Sequence, residues 1–190
     1  MARPRQFDEK RAIEAAMRAF WSGGYEATST QDLCEATGLG RSSIYNTFVS
    51  KHELFDKALC RYMEYKGGLL GELLASDLPA RQKIRRLLWQ AVETPAGDPV
   101  GCLAVNSAVE LAPRDPEVAA RLRRDREWRL EALRGLIDAG KRDGEIKAAK
   151  DTRTLAHFVM ATMSGMCVAA RGGADRTVLE QIATTALDAI

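Results

Sequence analysis

Apolar and polar residues alternate along this chain almost everywhere with the period of a helix. Ile13, Ala16, Met17, Phe20 and Trp21 recur at i, i+3, i+4, i+7 and i+8, the stripe of an amphipathic helix. Gly23-Gly24 ends it, because glycine supplies the left-handed cap. Ser29 with Asp32 three residues on predicts the N-terminus of a second, short helix running to about Thr37. After the tight turn Gly38-Leu39-Gly40 a third helix is expected from about Arg41 to Phe48. Ser50-Lys-His-Glu53 reads as a capping box that opens a longer fourth helix through Phe55, Ala58, Leu59 and Tyr62, with weaker periodicity beyond Gly67-Gly68.

Pro79 predicts the start of a helix containing Ile84, Leu87, Leu88 and Ala91. Asp98-Pro99 and Asp115-Pro116 each set a capping carboxylate before a proline at the first helical position. The first pair predicts a helix through Leu111, with Cys102 in its first turns. The second predicts a long helix to about Arg142, closed by Asp143-Gly144. Two more are expected at about Thr152–Ala170 and Asp175–Ala189, the last capped by Thr177 and Glu180. Runs of β-branched residues with alternating polarity are absent. The prediction is therefore all-α, with about nine helices and no sheet.

Composition narrows the class without naming it. With 190 residues, 46% hydrophobic and 28% charged, the chain is neither disordered nor too small for a core. No apolar run approaches the roughly 20 residues that span a bilayer. The first six residues are polar and lack a signal peptide's apolar core, which predicts a cytoplasmic protein. Cys34, Cys60, Cys102 and Cys167 lie far apart with no CxxC spacing, so neither a zinc module nor a disulfide framework is expected, and no metal or cofactor is assigned. Net charge is only +2, but its placement is uneven. Residues 36–52 hold Arg41 and Lys51 and no acid, and residues 1–7 hold Arg3 and Arg5 and no acid. The two arginines form a short basic arm, either a minor-groove contact or an unordered terminus.

The second helix, the glycine turn and the third helix have the internal logic of a helix-turn-helix. Cys34 is small enough for close approach, and Leu33, Ala36, Leu39, Ile44 and Phe48 are placed to share a core with Ile13, Met17 and Phe20. Such a unit sets the start of its second helix into a major groove. The run from Thr30 to Leu54, with its glycine turn, the Tyr45…Phe48 pair and Ser50-Lys51-x-Glu53-Leu54, resembles the DNA-binding signature of TetR/AcrR-type transcriptional repressors over about residues 8–55.

That resemblance implies an all-helical homodimer with an N-terminal three-helix helix-turn-helix DNA-binding domain and a larger C-terminal helical ligand-binding and dimerisation domain. The expected division is 1–50 and 51–190, with helix four as connector. It also implies a repressor released from a palindromic DNA operator by a small-molecule inducer, or an activator of the same fold. Arg41, Ser42 and Ser43 fall in the first turn of the recognition helix; Arg41 is either a guanine reader or a solvated surface arginine. Tyr45 and Lys51 match phosphate-holding positions, and Thr30 and Gln31 match backbone contacts. Asn46 and Thr47 stand where the family has a second aromatic and a histidine. An asparagine pairs bidentately with adenine, which makes Asn46 a candidate base reader.

In the resembled family the last two helices build the dimer interface; ordinary intrachain packing is the alternative. Ala161, Gly165 and Ala169 form a small face, and Val178, Ile182 and Ala186 a stripe. Cys102, Val105, Asn106, Trp128, His157, Met160 and Met163 are the candidate lining of a mainly apolar inducer pocket, with Trp89, Val109 and Met166 beside them, although a methionine stripe is as readily core. Cys102 is also a candidate electrophile or oxidant sensor, the alternative being an inert buried thiol. An enzyme is not expected. His52 and His157 are the only histidines, and no GxSxG, P-loop or HExxH is present.

Overall fold

The structure, a computed structural model, describes residues 5–190, with side chains from Glu9 onward. Arg3 and the side chain of Arg5 thus lie outside what is described. The described residues form nine helices and no strand: α1 (Arg5–Gly23), α2 (Thr30–Thr37), α3 (Arg41–Thr47), α4 (Lys51–Ala75), α5 (Ala80–Trp89), α6 (Leu103–Glu110), α7 (Pro116–Arg142), α8 (Thr152–Arg171) and α9 (Arg176–Asp188). They cluster into two compact units. One comprises Met1–Lys66 and Leu103–Ala120, the other Gly67–Cys102 and Arg121–Ile190.

In the first unit α1 packs on α2, α2 on α3 and α1 on α6. Ala16, Met17, Phe20 and Trp21 are buried as the stripe predicts, whereas Ala12, not Ile13, completes it and Ile13 is half-buried. Phe20 meets Phe55 edge-on with ring centroids 5.2 Å apart, and Trp21 meets Tyr62 at 4.8 Å. Leu33, Ile44 and Phe48 are buried, but Ala36 points to solvent. Ala36 stands three residues past Leu33, and a helix of only two turns reaches the core with one side chain.

The start of α2 is fixed by a complete capping box. Ser29 Oγ accepts the Asp32 N–H at 3.1 Å, and the Asp32 carboxylate accepts the Ser29 N–H at 2.7 Å. These bonds satisfy two groups that a helix start otherwise leaves to water. The Ser29 side chain, then the Ser29 backbone amide and the charge of Lys51, hold the Asp32 carboxyl below the ordinary 3.8. At α4 the box is shifted. Ser50 Oγ accepts the Glu53 N–H, while the Glu53 carboxylate accepts from Val49, one residue earlier than expected.

In the second unit Ile84, Leu88, Ile137, Ala156, Val159 and Ala183 are fully buried in one apolar cluster, where α5, α8 and α9 pack pairwise. Gly140 makes this packing close. A Cβ there would stand 2.8 Å from the Ala80 Cβ and 2.8 Å from Ile146 Cδ1. The fourth helix runs through Gly67-Gly68 to Ala75, since buried Leu70 and half-buried Leu73 and Leu74 continue its apolar face past residues that weaken a helix by only about 1 kcal/mol each. Two further details differ from the sequence reading. The sixth begins at Leu103 rather than at Asp98-Pro99, because Gly101 has φ +94°, a left-handed conformation that breaks a helix. Cys102 therefore precedes α6. The ninth is capped by Asp175 without a side-chain bond, and Glu180 pairs instead with Arg176 at 2.7 Å.

Two stability measurements follow from this packing. Gly140→Ala should destabilise by about 1–3 kcal/mol through overpacking, while Gly135→Ala, with nothing within 4 Å of its added Cβ, should stabilise by up to about 1 kcal/mol. Shifts of the same sign in thermal melts would contradict the contrast. A carboxyl with a lowered folded pKa contributes fully above its ordinary value and ceases to contribute as pH falls through the lowered one. Urea unfolding of the wild type should therefore weaken more steeply than that of Asp32→Ala as pH falls below about 4; parallel profiles would exclude the box as a source of acid sensitivity.

Candidate nucleic-acid interface

Gly38 turns the chain out of α2 in the left-handed conformation, φ +69°, that side chains other than glycine adopt at a cost. Thr37 Oγ1 donates to Leu33 O at 2.7 Å and accepts the Leu39 N–H at 3.3 Å, closing the turn. The extended Gly40 then starts α3, and its carbonyl accepts the N–H groups of Ser43 and Ile44.

Within α3 and just after it, only Ile44 and Phe48 are buried. Their burial turns Arg41, Ser42, Ser43, Asn46 and Thr47 to solvent together, with Tyr45 38% exposed. The Tyr45 and Thr30 hydroxyl oxygens lie 3.0 Å apart, so the start of α2 and the middle of α3 share one hydrogen bond. The Arg41 guanidinium sits 5.8 Å from the centre of the Tyr45 ring. Tyr45 thus touches both Thr30 and Arg41, a grouping that no sequence spacing marks. Gln31 is exposed but donates to Glu35 at 3.1 Å, the pairing of helical neighbours.

Lys51 is placed by residues that the sequence reading did not single out. Its Nζ lies 4.5 Å from the centre of the Tyr25 ring and donates to the Glu26 carbonyl at 3.4 Å. Tyr25 is itself wedged against Phe20 and Phe55, with ring centroids 6.1 and 4.9 Å away. Burial, then the carboxylates of Glu26 and Asp115, push its phenol above 10.0, so the ring serves as a neutral face. Next to Lys51, His52 Nε2 lies 2.5 Å from Asp115 Oδ2. The same Asp115 caps α7 by accepting the N–H groups of Glu117 and Val118. No spacing rule could reveal this pairing, since 63 residues separate the partners.

Hydroxyls, amides and cations face solvent across α3, and between residues 36 and 52 no carboxylate opposes them. That combination suits phosphate oxygens and base edges, which offer acceptors and a dense negative charge.

The candidate ligand residues divide between the two units. Val105 and Asn106 are half-buried on α6 in the first unit, and Asn106 Nδ2 is buried without a hydrogen-bond partner. Cys102 is half-buried at the end of a segment of the second unit. There Met160 and Met163 pack against the apolar core and Met166 lies within it. Trp128 is 47% exposed, and His157 is exposed beside Arg126 and Arg153 in an open groove between α7 and α8. Trp89 is half-buried and Val109 exposed. No helix among the described residues is long and apolar enough to cross a membrane.

The exposed side of α8 and α9 is unusually apolar. Phe158 and Val168 on α8, and Val178 and Ile182 on α9, are all more than one-third exposed, with Ala161 and Gly165 exposed between the former pair. Leu179, Ala183, Ala186 and Leu187 occupy the core side of α9, so this helix has two apolar faces.

Comparison with known proteins finds relatives along nearly the whole chain. The family described as "Bacterial regulatory proteins, tetR family" matches residues 12–58, and the "Tetracyclin repressor-like, C-terminal domain" matches residues 80–186. The HTH-type transcriptional repressor ComR of Escherichia coli (strain K12) is 32% identical over 97% of this chain and 90% of its own. An uncharacterized HTH-type transcriptional regulator of Bacillus subtilis (strain 168), YezE, is 31% identical over 95% and 94%. Among solved structures, a cysteine-substituted form of the TetR family transcriptional regulator CifR, complexed with 26-base-pair operator DNA, aligns with TM-score 0.84 and 32% identity over 99% of both chains. The chain belongs to the TetR family of bacterial regulatory proteins.

Proposed function

We propose that this protein binds a palindromic DNA operator as a homodimer and represses transcription until a small molecule releases it. The observation that carries the reading is the division of α3 into a buried side, Ile44 with the following Phe48, and an acid-free exposed side. In this role Arg41, Ser42, Ser43 and Asn46 reach base edges from the major groove, and Thr30, Gln31, Tyr45, Thr47 and Lys51 hold the backbone. The operator-bound CifR structure and the repressor name of ComR support the assignment by likeness. The DNA-binding part is residues 1–50; residues 51–190 hold the inducer and the dimer contacts, with α4 as connector. The protein acts in the cytoplasm and has no catalytic step.

The exposed apolar side of α8 and α9 supports the dimer. No helix among the described residues is long and apolar enough to cross a membrane, so an apolar face of this kind calls for a partner surface, and a second copy offers the same face in two-fold arrangement. A two-fold pair sets its recognition helices one DNA turn, roughly 34 Å, apart. Inducer binding favours a form in which that spacing no longer fits the half-sites. Candidate inducer contacts are Val105, Asn106, Trp128, His157, Met160 and Met163. Asn106 is the best supported of them, since its buried amide nitrogen has no hydrogen-bond partner among the described residues. A second trigger is modification of Cys102, favoured by its half-buried place directly before α6.

Two experiments test the reading. Tyr45→Ala and Lys51→Ala should each weaken retardation of the DNA flanking the protein's own gene while leaving the thermal melt in place; unchanged affinity across a salt series would refute it. Val178→Asp combined with Ile182→Asp should convert a dimer into a monomer in light scattering at micromolar concentration. A wild-type mass already monomeric, or a variant that stays dimeric, would contradict the interface.

A further inference from the structure

The turn that holds Lys51 is itself held from α6. Gly24, at φ +85°, swings the chain so that the next two amides converge: Tyr25 N–H donates to Glu110 Oε2 at 2.9 Å and Glu26 N–H to Glu110 Oε1 at 2.7 Å. Consecutive amides around a left-handed residue form a small anion-binding concavity, and here a carboxylate of the same chain, 85 and 84 residues away, fills it. Gly24 leaves the room required. A Cβ at that position would stand 3.1 Å from Glu110 Oε2. Both bonds involve a charged acceptor, so they are stronger than ordinary amide contacts.

Their consequence falls on Lys51. The backbone carbonyl of Glu26 accepts from its ammonium, and the Tyr25 ring supports it from the other side. Those are the two residues whose amides Glu110 fixes. Arg114, four residues past Glu110, pairs with the Glu26 carboxylate at 2.7 Å and keeps that acid occupied. An ammonium carries three N–H donors. Glu26 takes one, which leaves two for a phosphate.

We propose that Glu110 is a positioning residue for DNA binding: through the Gly24–Glu26 turn it sets where the Lys51 ammonium stands, although it touches no nucleic acid itself. The inference rests on the phosphate role of Lys51 proposed above. It makes the register of α6 against this turn a determinant of operator affinity, and identifies Glu110 as the group that carries it.

Fluorescence anisotropy of the full-length protein on the labelled DNA flanking its own gene, across a series of KCl concentrations, separates the elements of this claim. Lys51→Ala should weaken binding about tenfold and make the salt dependence shallower by roughly one unit of slope per subunit. Glu110→Ala should reproduce both changes, and Glu110→Gln, which keeps one acceptor oxygen, should fall between it and the wild type. Adding Glu110→Ala to Lys51→Ala should then change neither quantity further. Thermal melts monitor folding, and if Glu110→Ala does not fold, the glutamine variant carries the same comparison. A Glu110 variant that loses affinity at the wild-type slope, or one whose loss adds in full to that of Lys51→Ala, overturns the proposal while leaving Lys51 in its role. Wild-type behaviour of Lys51→Ala removes that role, and this inference with it.

Discussion

A helix of seven residues does not persist in water by itself, so the orientation of α3 depends on the burial of Ile44 and Phe48. Each removes a large apolar side chain from water, worth roughly 1.5–3 kcal/mol, and together they fix one face of barely two turns. Every other feature of the candidate interface follows from that face being taken. Arg41, Ser42, Ser43, Asn46 and Thr47 have nowhere to point except outward, and Tyr45 lies at the border, where its hydroxyl meets Thr30. The neighbouring elements stop this arrangement from drifting. Ser29 and Asp32 define where α2 begins, and Gly38 defines how the chain leaves it.

Beyond the recognition helix, the first unit is organised around Tyr25. Its ring joins Phe20, Phe55 and His52, supports the Lys51 ammonium, and has its amide held by Glu110. One residue thus serves the apolar core, a cation and a carboxylate from α6. The contact of His52 with Asp115 ties the start of α4 to the start of α7. Polar ties of this kind at the surface contribute little to overall stability. Their weight here lies in geometry, since they determine where the Lys51 ammonium stands.

Much of this was legible in the residues. The nine helices, the capping box at Ser29, the glycine turn and the buried pair Ile44 and Phe48 all rest on local rules, in which the signal and the structure lie within a few residues of each other. Where the reading departed, a longer-range contact or a single backbone angle had decided. Asp98-Pro99 reads as a helix start, but left-handed Gly101 postpones the helix to Leu103. Glu110 could not be found at all, because its partners are backbone amides 84 and 85 residues earlier. The ligand candidates were the least legible, since an apolar stripe that lines a pocket and one that fills a core have the same spacing; Met160 and Met163 pack on the core while His157 faces solvent.

If α3 reads DNA as one of a two-fold related pair, hydroxyl-radical footprinting of the wild-type protein on the DNA flanking its own gene will show two protected patches on one face of the duplex, related by the symmetry of the sequence, with centres one helical turn or a multiple of it apart. A single patch, or protection that disappears when unrelated competitor DNA is added, would contradict it.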